Sequence, residues 1–459
     1  MSSKSKYFLA LFLLVQSLGL SMSKGENLPE DEFARRRAIF MAELRNLNAC
    51  AILHSAPVFV RNGNIEYSYR QDSDLFYLSG WTQSEAILVI TPKEDLPGQA
   101  EVSLFVPAQD PKREVWTGPL KHLGDARNLP GVDQAIVYDE FYDYVGKLMA
   151  GYDRLVISYG SDAEFKLEFT HQLEMMYTRP AIVQEASSIL KTQRMIKSET
   201  EIKALEKAID VTSLALQETW SLIPALEFEY EVQAQIEYGM SKRGAVRLSF
   251  PSIVGSGKNT TFLHYEDNRG RLAPGDLILT DIGAEWDYYA ADITRTVPTS
   301  GKFSLEQAQI YQLVLDAQLA AIATVKPGST FRKTHEIAVD VITAGLIELG
   351  LLQGELSKLV ADEKYKKFFM HGTSHWLGLD VHDVGGRVDS EGKPHILQAG
   401  MVITVEPGIY ISESEDVEPK WWNIGVRIED DVLVTRKGYR VLSESLPKTI
   451  AEIEGLMQP

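Results

Sequence analysis

Four acidic residues in the C-terminal half of this 459-residue chain stand where charge is disfavoured, because Asp281, Asp292, Glu406 and Glu429 each interrupt or end an apolar, strand-like run. Asp281 and Asp292 lie in GDLILTDIGAEWDYYAADITRTVP, whose alternating apolar residues predict two strands joined by a turn over the polar stretch Glu285 to Asp287. The two aspartates then project from facing strands. Glu406 follows the apolar run GMVITV and precedes Pro407-Gly408. Glu429 sits in GVRIEDDVLVT, where a period of two puts it on the same face as Arg427.

A lone histidine completes the set. His375 belongs to HGTSHWLGLDVHDVG, too broken by glycine for a helix and too rich in histidine for an ordinary core strand. Four of the nine histidines, His264, His371, His375 and His382, fall near these elements. Four ionised carboxylates in one pocket push one another's pKa upward until some protonate, unless a counter-charge is present. Two divalent cations, with a charge of about +4 against about −4 from the ligands, supply it and acidify a bound water into a nucleophile. The expected chemistry is therefore metal-assisted hydrolysis. Oxygen-rich ligation with one imidazole favours Mn²⁺, with Co²⁺, Fe²⁺ or Zn²⁺ as alternatives.

The blocks TDIGAEWDYYAADITRTVP, HGTSHWLGLDVHDVG, TVEPGIY and IGVRIEDD resemble the signatures of the proline-specific metallopeptidases with the pita-bread fold, most closely the aminopeptidase P group. The resemblance runs from about Phe33 to Met457 and includes YRQDSDLFYLSGW at 69 to 81, similar to the creatinase-like accessory domain of aminopeptidase P and prolidase. It implies that Asp281, Asp292, His375, Glu406 and Glu429 hold two metal ions, with Asp292 and Glu429 bridging and Glu406 also accepting the proton of the attacking water. It further implies catalytic or substrate-binding roles for His264 and His382, a proline pocket lined by His371, and support of the site by Tyr410 and Arg427. The expected substrates are peptides with proline at the second position, cut to release the first residue. Prolidase, which takes Xaa-Pro dipeptides, is the alternative that the ligand set cannot separate, although Trp376 and Asp380 resemble aminopeptidase P. The accessory domain disfavours methionine aminopeptidase. The complete ligand set disfavours both metal-free creatinase and a catalytically silent peptide-binding module. Relatives suggest a homodimer or homotetramer, but no interface is legible in the sequence.

Two other motifs fail on inspection. GSGKN at 255 to 259 has Ser252 where a phosphate-binding loop needs glycine and Asn259 where it needs Ser or Thr. His335-Glu336 begins a zincin-like helix motif but has Val339 in place of the second histidine. His54, His122, His171, His335 and His395 are read as structural or surface residues.

A length of 459 residues predicts two or more domains, and 44% hydrophobic content can build large cores. Strand-like runs such as EAILVITP alternating with helical patterns such as EFARRRAIFMAELRNLN, together with the resemblance, imply an α/β (α+β) chain. An accessory domain is expected over 28–190 and the pita-bread catalytic domain over 195–459. Near the boundary, Ser198 with Glu201 forms a capping box opening a helix with Ile202, Leu205 and Ile209 on one face. A second box, Ser304 with Gln307, opens a helix that must end before Pro327-Gly328. The formal charge of −18 excludes general nucleic-acid binding, which relies on Lys and Arg. Lys4 and Lys6, an uncharged run from Tyr7 to Leu20 and the small residues Ser21 to Ser23 read as a signal peptide over 1–23, hence an exported protein, periplasmic or secreted. The apolar run is short for a membrane span, so no stable span is expected after processing and an uncleaved anchor is the alternative. With Cys50 the only cysteine, no intramolecular disulfide can form.

Overall fold

The computed structural model describes residues 28–92, 101–176, 179–389 and 391–457. The signal peptide expected over 1–23 lies outside them. Helix α1 (Glu30–Asn46) leads into a six-stranded sheet made of β1 (Ala49–His54), β2 (Ile87–Ile90), β3 (Val102–Val106), β4 (Gln134–Val137), β5 (Arg154–Ser158) and β6 (Ile182–Glu185). The spatial order is β4-β3-β2-β1-β5-β6, with β1 antiparallel to β2 and parallel to β5. Every residue of β1 and β2 is buried, which explains their unbroken apolar runs. Alternation still sorts them: Ala49, Ala51 and Leu53 face the main core, whereas Cys50 and Ile52 face a second core under Phe141, Phe165 and Phe169.

Helix α2 (Ser73–Ser79) is capped by Asp72, and α3 (Ser187–Met195) leads toward the second half of the chain. There α4 (Glu199–Trp220) packs on α5 (Glu229–Ser241), and α6 (Leu305–Ile322) packs on α7 (Lys333–Glu348). Both predicted capping boxes form: Ser198 and Ser304 accept from the backbone N–H of Glu201 and Gln307, whose side chains reach back to the cap backbone. Helix α6 ends at Ile322, before Pro327-Gly328 as its sequence requires. No helix among the described residues is long and apolar enough to cross a membrane.

Between these helices lie short antiparallel ribbons. One is β7 (Ile253–Ser256), β8 (Leu277–Ile282) and β9 (Ile293–Pro298), in that order. The others pair β10 (Val402–Val405) with β13 (Asp430–Val434), and β11 (Gly408–Ile411) with β12 (Ile424–Arg427). The turn expected over Glu285 to Asp287 is displaced. Glu285 belongs to a short strand, Ala284–Trp286, where it is buried against Arg70 and Arg247, and the two-residue turn falls on Asp287 and Tyr288, at φ 47° and 71°. A tyrosine is an uncommon occupant of that conformation. Its ring stacks on Phe76 of α2, which holds the turn against the N-terminal half.

Polar contacts join the halves. Arg70 Nε donates to Glu285 at 2.6 Å, and Arg36 donates to the Tyr289 hydroxyl, which donates to Glu201. Arg194 of α3 binds Asp74 at 2.8 Å, Asp380 at 2.8 Å and Asp383 at 2.6 Å, with Lys197 on Asp383 at 2.9 Å. These bonds fix the 380–383 segment and thereby His382.

Candidate metal centre

All five expected ligands line one cavity of about 640 Å³, together with His264, His371, His382 and Arg427. Asp281 sits near the end of β8 opposite Thr294 of β9, while Asp292 immediately precedes β9 and shares the face of Thr294. Glu406 directly follows β10, and Glu429 occupies the short link between β12 and β13. The His371–Gly385 block is a loop stitched to β10: Thr404 N–H donates to the His375 carbonyl and Glu406 N–H to the Thr373 carbonyl. That stitching brings the imidazole of His375 to the carboxylates.

Ligand atoms of Asp292, His375 and Glu429 fall within 4.8 Å of one another. His375 Nε2 lies 3.2 Å from Asp292 Oδ2, 3.8 Å from Glu406 Oε1 and 3.9 Å from Glu429 Oε1. His375 Nδ1 faces the Trp376 carbonyl at 3.1 Å, and a carbonyl can only accept, so Nδ1 carries the proton and the Nε2 lone pair points at the carboxylates. An acceptor nitrogen facing acceptor oxygens demands a proton or a cation between them.

The surrounding electrostatics say the same. Burial first, then the charges of Asp281, Asp431 and Glu406, hold Asp292 well above the ordinary carboxylate range. Burial and then Asp292, Glu406 and Asp281 do so for Glu429, and burial lifts Glu406 to about 7. Asp281 Oδ1 and Glu429 Oε1 are buried with no hydrogen-bond partner. Unsatisfied buried carboxylate oxygens are costly in a folded protein and are what a metal ion would complete. The donor set of four carboxylates and one imidazole fits divalent cations on chemistry as well as on geometry.

A second layer of side chains holds this set in place. Arg427 is buried, donates to Asp281 Oδ2 at 2.6 Å and to the Tyr410 hydroxyl at 2.9 Å, and so leaves Asp281 Oδ1 as the free oxygen. His371 donates from Nδ1 to the Gly372 carbonyl at 2.7 Å, so its Nε2 accepts from the Tyr410 hydroxyl at 2.8 Å. Burial and then the Arg427 charge push His371 down to about 3, keeping it neutral. His382 stands edge-on to His375, ring centroids 4.5 Å apart, and is exposed with His264 at the cavity mouth.

Two residues here escape sequence reasoning. Thr294 Oγ1 donates to Glu429 Oε2 at 2.8 Å and accepts from Arg427 Nε at 3.1 Å, linking ligand to support. Asp431 Oδ2 accepts the backbone N–H of Asp292 at 3.2 Å. The position of Thr294 two residues after Asp292 on the same strand face was a usable signal for the first; nothing local marked the second. His335 bonds Thr373 through Nδ1 at 2.9 Å, and GSGKN ends β7 and opens a 3₁₀ turn over Gly257–Thr261, so neither rejected motif acquires a site.

Residues 203–436 match the model of metallopeptidase family M24, and residues 33–157 match the aminopeptidase P N-terminal domain. A Haemophilus influenzae Xaa-Pro aminopeptidase is 37% identical over 94% of this chain and 98% of its own. The chain belongs to metallopeptidase family M24, in its aminopeptidase P group. The fold agrees with that membership. An aminopeptidase of Pseudomonas aeruginosa superposes at a TM-score of 0.88 with 41% identity, covering 94% of this chain and 98% of the other. Escherichia coli aminopeptidase P, solved with the inhibitor Pro-Leu, gives a TM-score of 0.89 at 35% identity, covering 94% and 99%. The halves are therefore an accessory domain and a pita-bread metallopeptidase domain, and the M24 family implies divalent metal ions at the carboxylate cluster.

Proposed function

We propose that this protein is an Xaa-Pro aminopeptidase that releases the first residue of peptides with proline at the second position, using two divalent metal ions. The observation that carries the reading is the buried set of Asp292, His375 and Glu429, whose oxygens and Nε2 lone pair converge without enough protein cations to balance them. Asp281, Asp292, His375, Glu406 and Glu429 would hold the ions. When bound, the ions would supply an activated water and polarise the scissile carbonyl.

The remaining work falls to side chains of this chain. Glu406, beside His375 and at the cavity wall, is placed to accept the proton of the attacking water and pass it toward the leaving proline nitrogen. His264 and His382 at the mouth are placed to donate to the developing oxyanion or to hold the substrate backbone. His371, neutral and oriented by Tyr410, lines the cavity with the Phe369 ring perpendicular to it at 5.1 Å, a wall suited to the pyrrolidine of proline. The net charge of −18 favours approach of a positively charged peptide N-terminus.

Mn²⁺ is the metal we assign, on the oxygen-rich donor set. Export through the segment at 1–23 is assigned on its charge and apolar pattern. Release of the N-terminal residue from matched Xaa-Pro dipeptides and Xaa-Pro-Yaa tripeptides, with Mn²⁺ and with chelator, tests the activity. Chelator-sensitive cleavage of tripeptides supports the aminopeptidase. Cleavage of dipeptides alone makes the protein a prolidase, and cleavage of neither overturns both. N-terminal sequencing of protein from the extracytoplasmic fraction of an expressing cell tests export; the intact N-terminus in the cytosol would refute it.

A further inference from the structure

Two arginines line the active-site cavity, and they are held in opposite ways. Arg427 is buried and fully engaged by Asp281, Tyr410 and Thr294. Arg387 is exposed, and no carboxylate, carbonyl or hydroxyl among the described residues bonds its guanidinium. It is nevertheless positioned. Trp376 stacks on Phe331, with ring centroids 4.6 Å apart, and its Nε1 donates to the Gly386 carbonyl at 2.7 Å. Gly385 and Gly386, at φ 143° and 70°, make the turn that Arg387 follows, and a Cβ on Gly385 would lie 2.6 Å from that same tryptophan nitrogen. The close approach at this glycine clamps the turn to the cavity wall. Arg387 Nη2 then lies 3.8 Å from where a Cβ on Gly372 would stand, next to His371.

The cavity wall is therefore polarised. The acidic centre lies deep, with Glu266 on the mouth near His264, and an unpaired planar cation stands beside the His371 wall. Taken with the proposed activity, on which this inference rests, the polarity sets the direction of a bound peptide. Its ammonium end belongs with the carboxylates, and a negative group beyond the proline belongs with the guanidinium. A guanidinium fork matches a carboxylate in two parallel hydrogen bonds, a geometry that an ammonium cannot reproduce.

We propose that Arg387 is a specificity-determining residue that binds a carboxylate on the residue following proline. In a tripeptide this is the terminal carboxylate; in a longer peptide it is an acidic side chain at the third position. The assignment makes short free-acid peptides and peptides with a third-position Asp or Glu the better substrates.

The test uses the full-length metal-loaded enzyme and three substrates: Ala-Pro-Ala as free acid, Ala-Pro-Ala amide and Ala-Pro-Asp amide. For the unsubstituted enzyme the free acid is expected to have a KM about fivefold below that of the Ala amide, with similar kcat, as suits one solvent-exposed charge-assisted pair. The Asp amide should recover that preference if the side chain reaches the same group; failure of the Asp amide alone confines the site to terminal carboxylates. In Arg387→Gln the preference should vanish through KM, Arg387→Lys should restore only part of it, and about 0.5 M salt should shrink it in the parent enzyme. A preference that survives Arg387→Gln, or its absence from the unsubstituted enzyme while the amide is cleaved, overturns the assignment and leaves the aminopeptidase intact. Cleavage of none of the three overturns both.

Discussion

Glu429 and Asp430 are neighbours in the chain and equally buried, yet their surroundings are opposite. Asp430 accepts from Arg295 at 2.7 Å, from Ser443 at 2.7 Å and from Gln318 at 3.0 Å, and also from Lys448. Arg295 and Lys448 overcome its burial and hold its carboxyl far below the ordinary range. Glu429 faces Asp292, Glu406 and Asp281, keeps one oxygen unpartnered, and is driven upward. The two halves are joined by a cluster of the first kind, in which Arg194 and Lys197 answer Asp74, Asp380 and Asp383. At Asp430, and at Asp74, Asp380 and Asp383, buried or half-buried carboxylates are answered by cations from the chain itself. Where Asp281, Asp292, Glu406 and Glu429 converge the charge is left in deficit, a metal ion is expected, and that deficit separates this cluster from the one that joins the halves.

The contrast is broken most severely at its two poles. Glu429→Ala removes one of the proposed metal ligands and is expected to lower kcat/KM by more than about 10³-fold, several kcal/mol of transition-state stabilisation, with the fold retained. Steady-state cleavage of an Xaa-Pro-Yaa peptide beside circular dichroism checks it; near-normal turnover would contradict the proposed ligand role. Asp430→Ala should do the reverse damage, leaving Arg295 buried without its counter-ion and costing about 3–5 kcal/mol of stability. Urea denaturation measures that loss, and a change below about 1 kcal/mol would remove the structural reading of this pair.

A pH series sharpens the comparison further. In the metal-free protein the Glu406 carboxyl sits at about 7, above its ordinary 4.5, so the folded state holds this proton more tightly than the unfolded chain. Its contribution to stability is present below about 4.5 and lost as pH rises toward 7. Asp292 and Glu429, raised in the same direction, add to the trend. The chelated protein should therefore melt at a falling temperature over that range, and Mn²⁺ at neutral pH should reverse the fall with release of protons. Melting temperatures that rise with pH after chelation would count against a carboxylate cluster lacking cations. The smallest expected effect belongs to Thr294→Val, which deletes the hydroxyl between Glu429 and Arg427 and should weaken metal affinity about 10–100-fold, read by titration calorimetry.

Legibility from sequence followed the same division. Strands β8, β10 and β12 and the capped starts of α4 and α6 were accessible because periodicity and capping are local. The turn before Asp292 was not, because Asp287 and Tyr288 adopt positive φ without a glycine, a conformation stabilised by the stack of Tyr288 on Phe76 from the other half of the molecule. The run Glu429-Asp430-Asp431 was equally opaque. Nothing in three consecutive acids says that the second would meet Arg295 and Lys448, or that the third would accept from Asp292 N–H.

From residue identity alone came the class of chemistry: carboxylates that end apolar strands, one histidine among glycines, and signature blocks sufficient to suggest the family. Tertiary structure alone decided which acids are balanced, which oxygens remain unsatisfied, which nitrogen of His375 carries the proton, and which of the two cavity arginines has no bonded partner among the described residues. The reason is physical. Side-chain periodicity is set by a few neighbouring residues, whereas a charge is stabilised or frustrated by whatever the fold brings within a few ångströms, and that partner can come from far along the chain, as with Arg427 and Asp281, 146 residues apart.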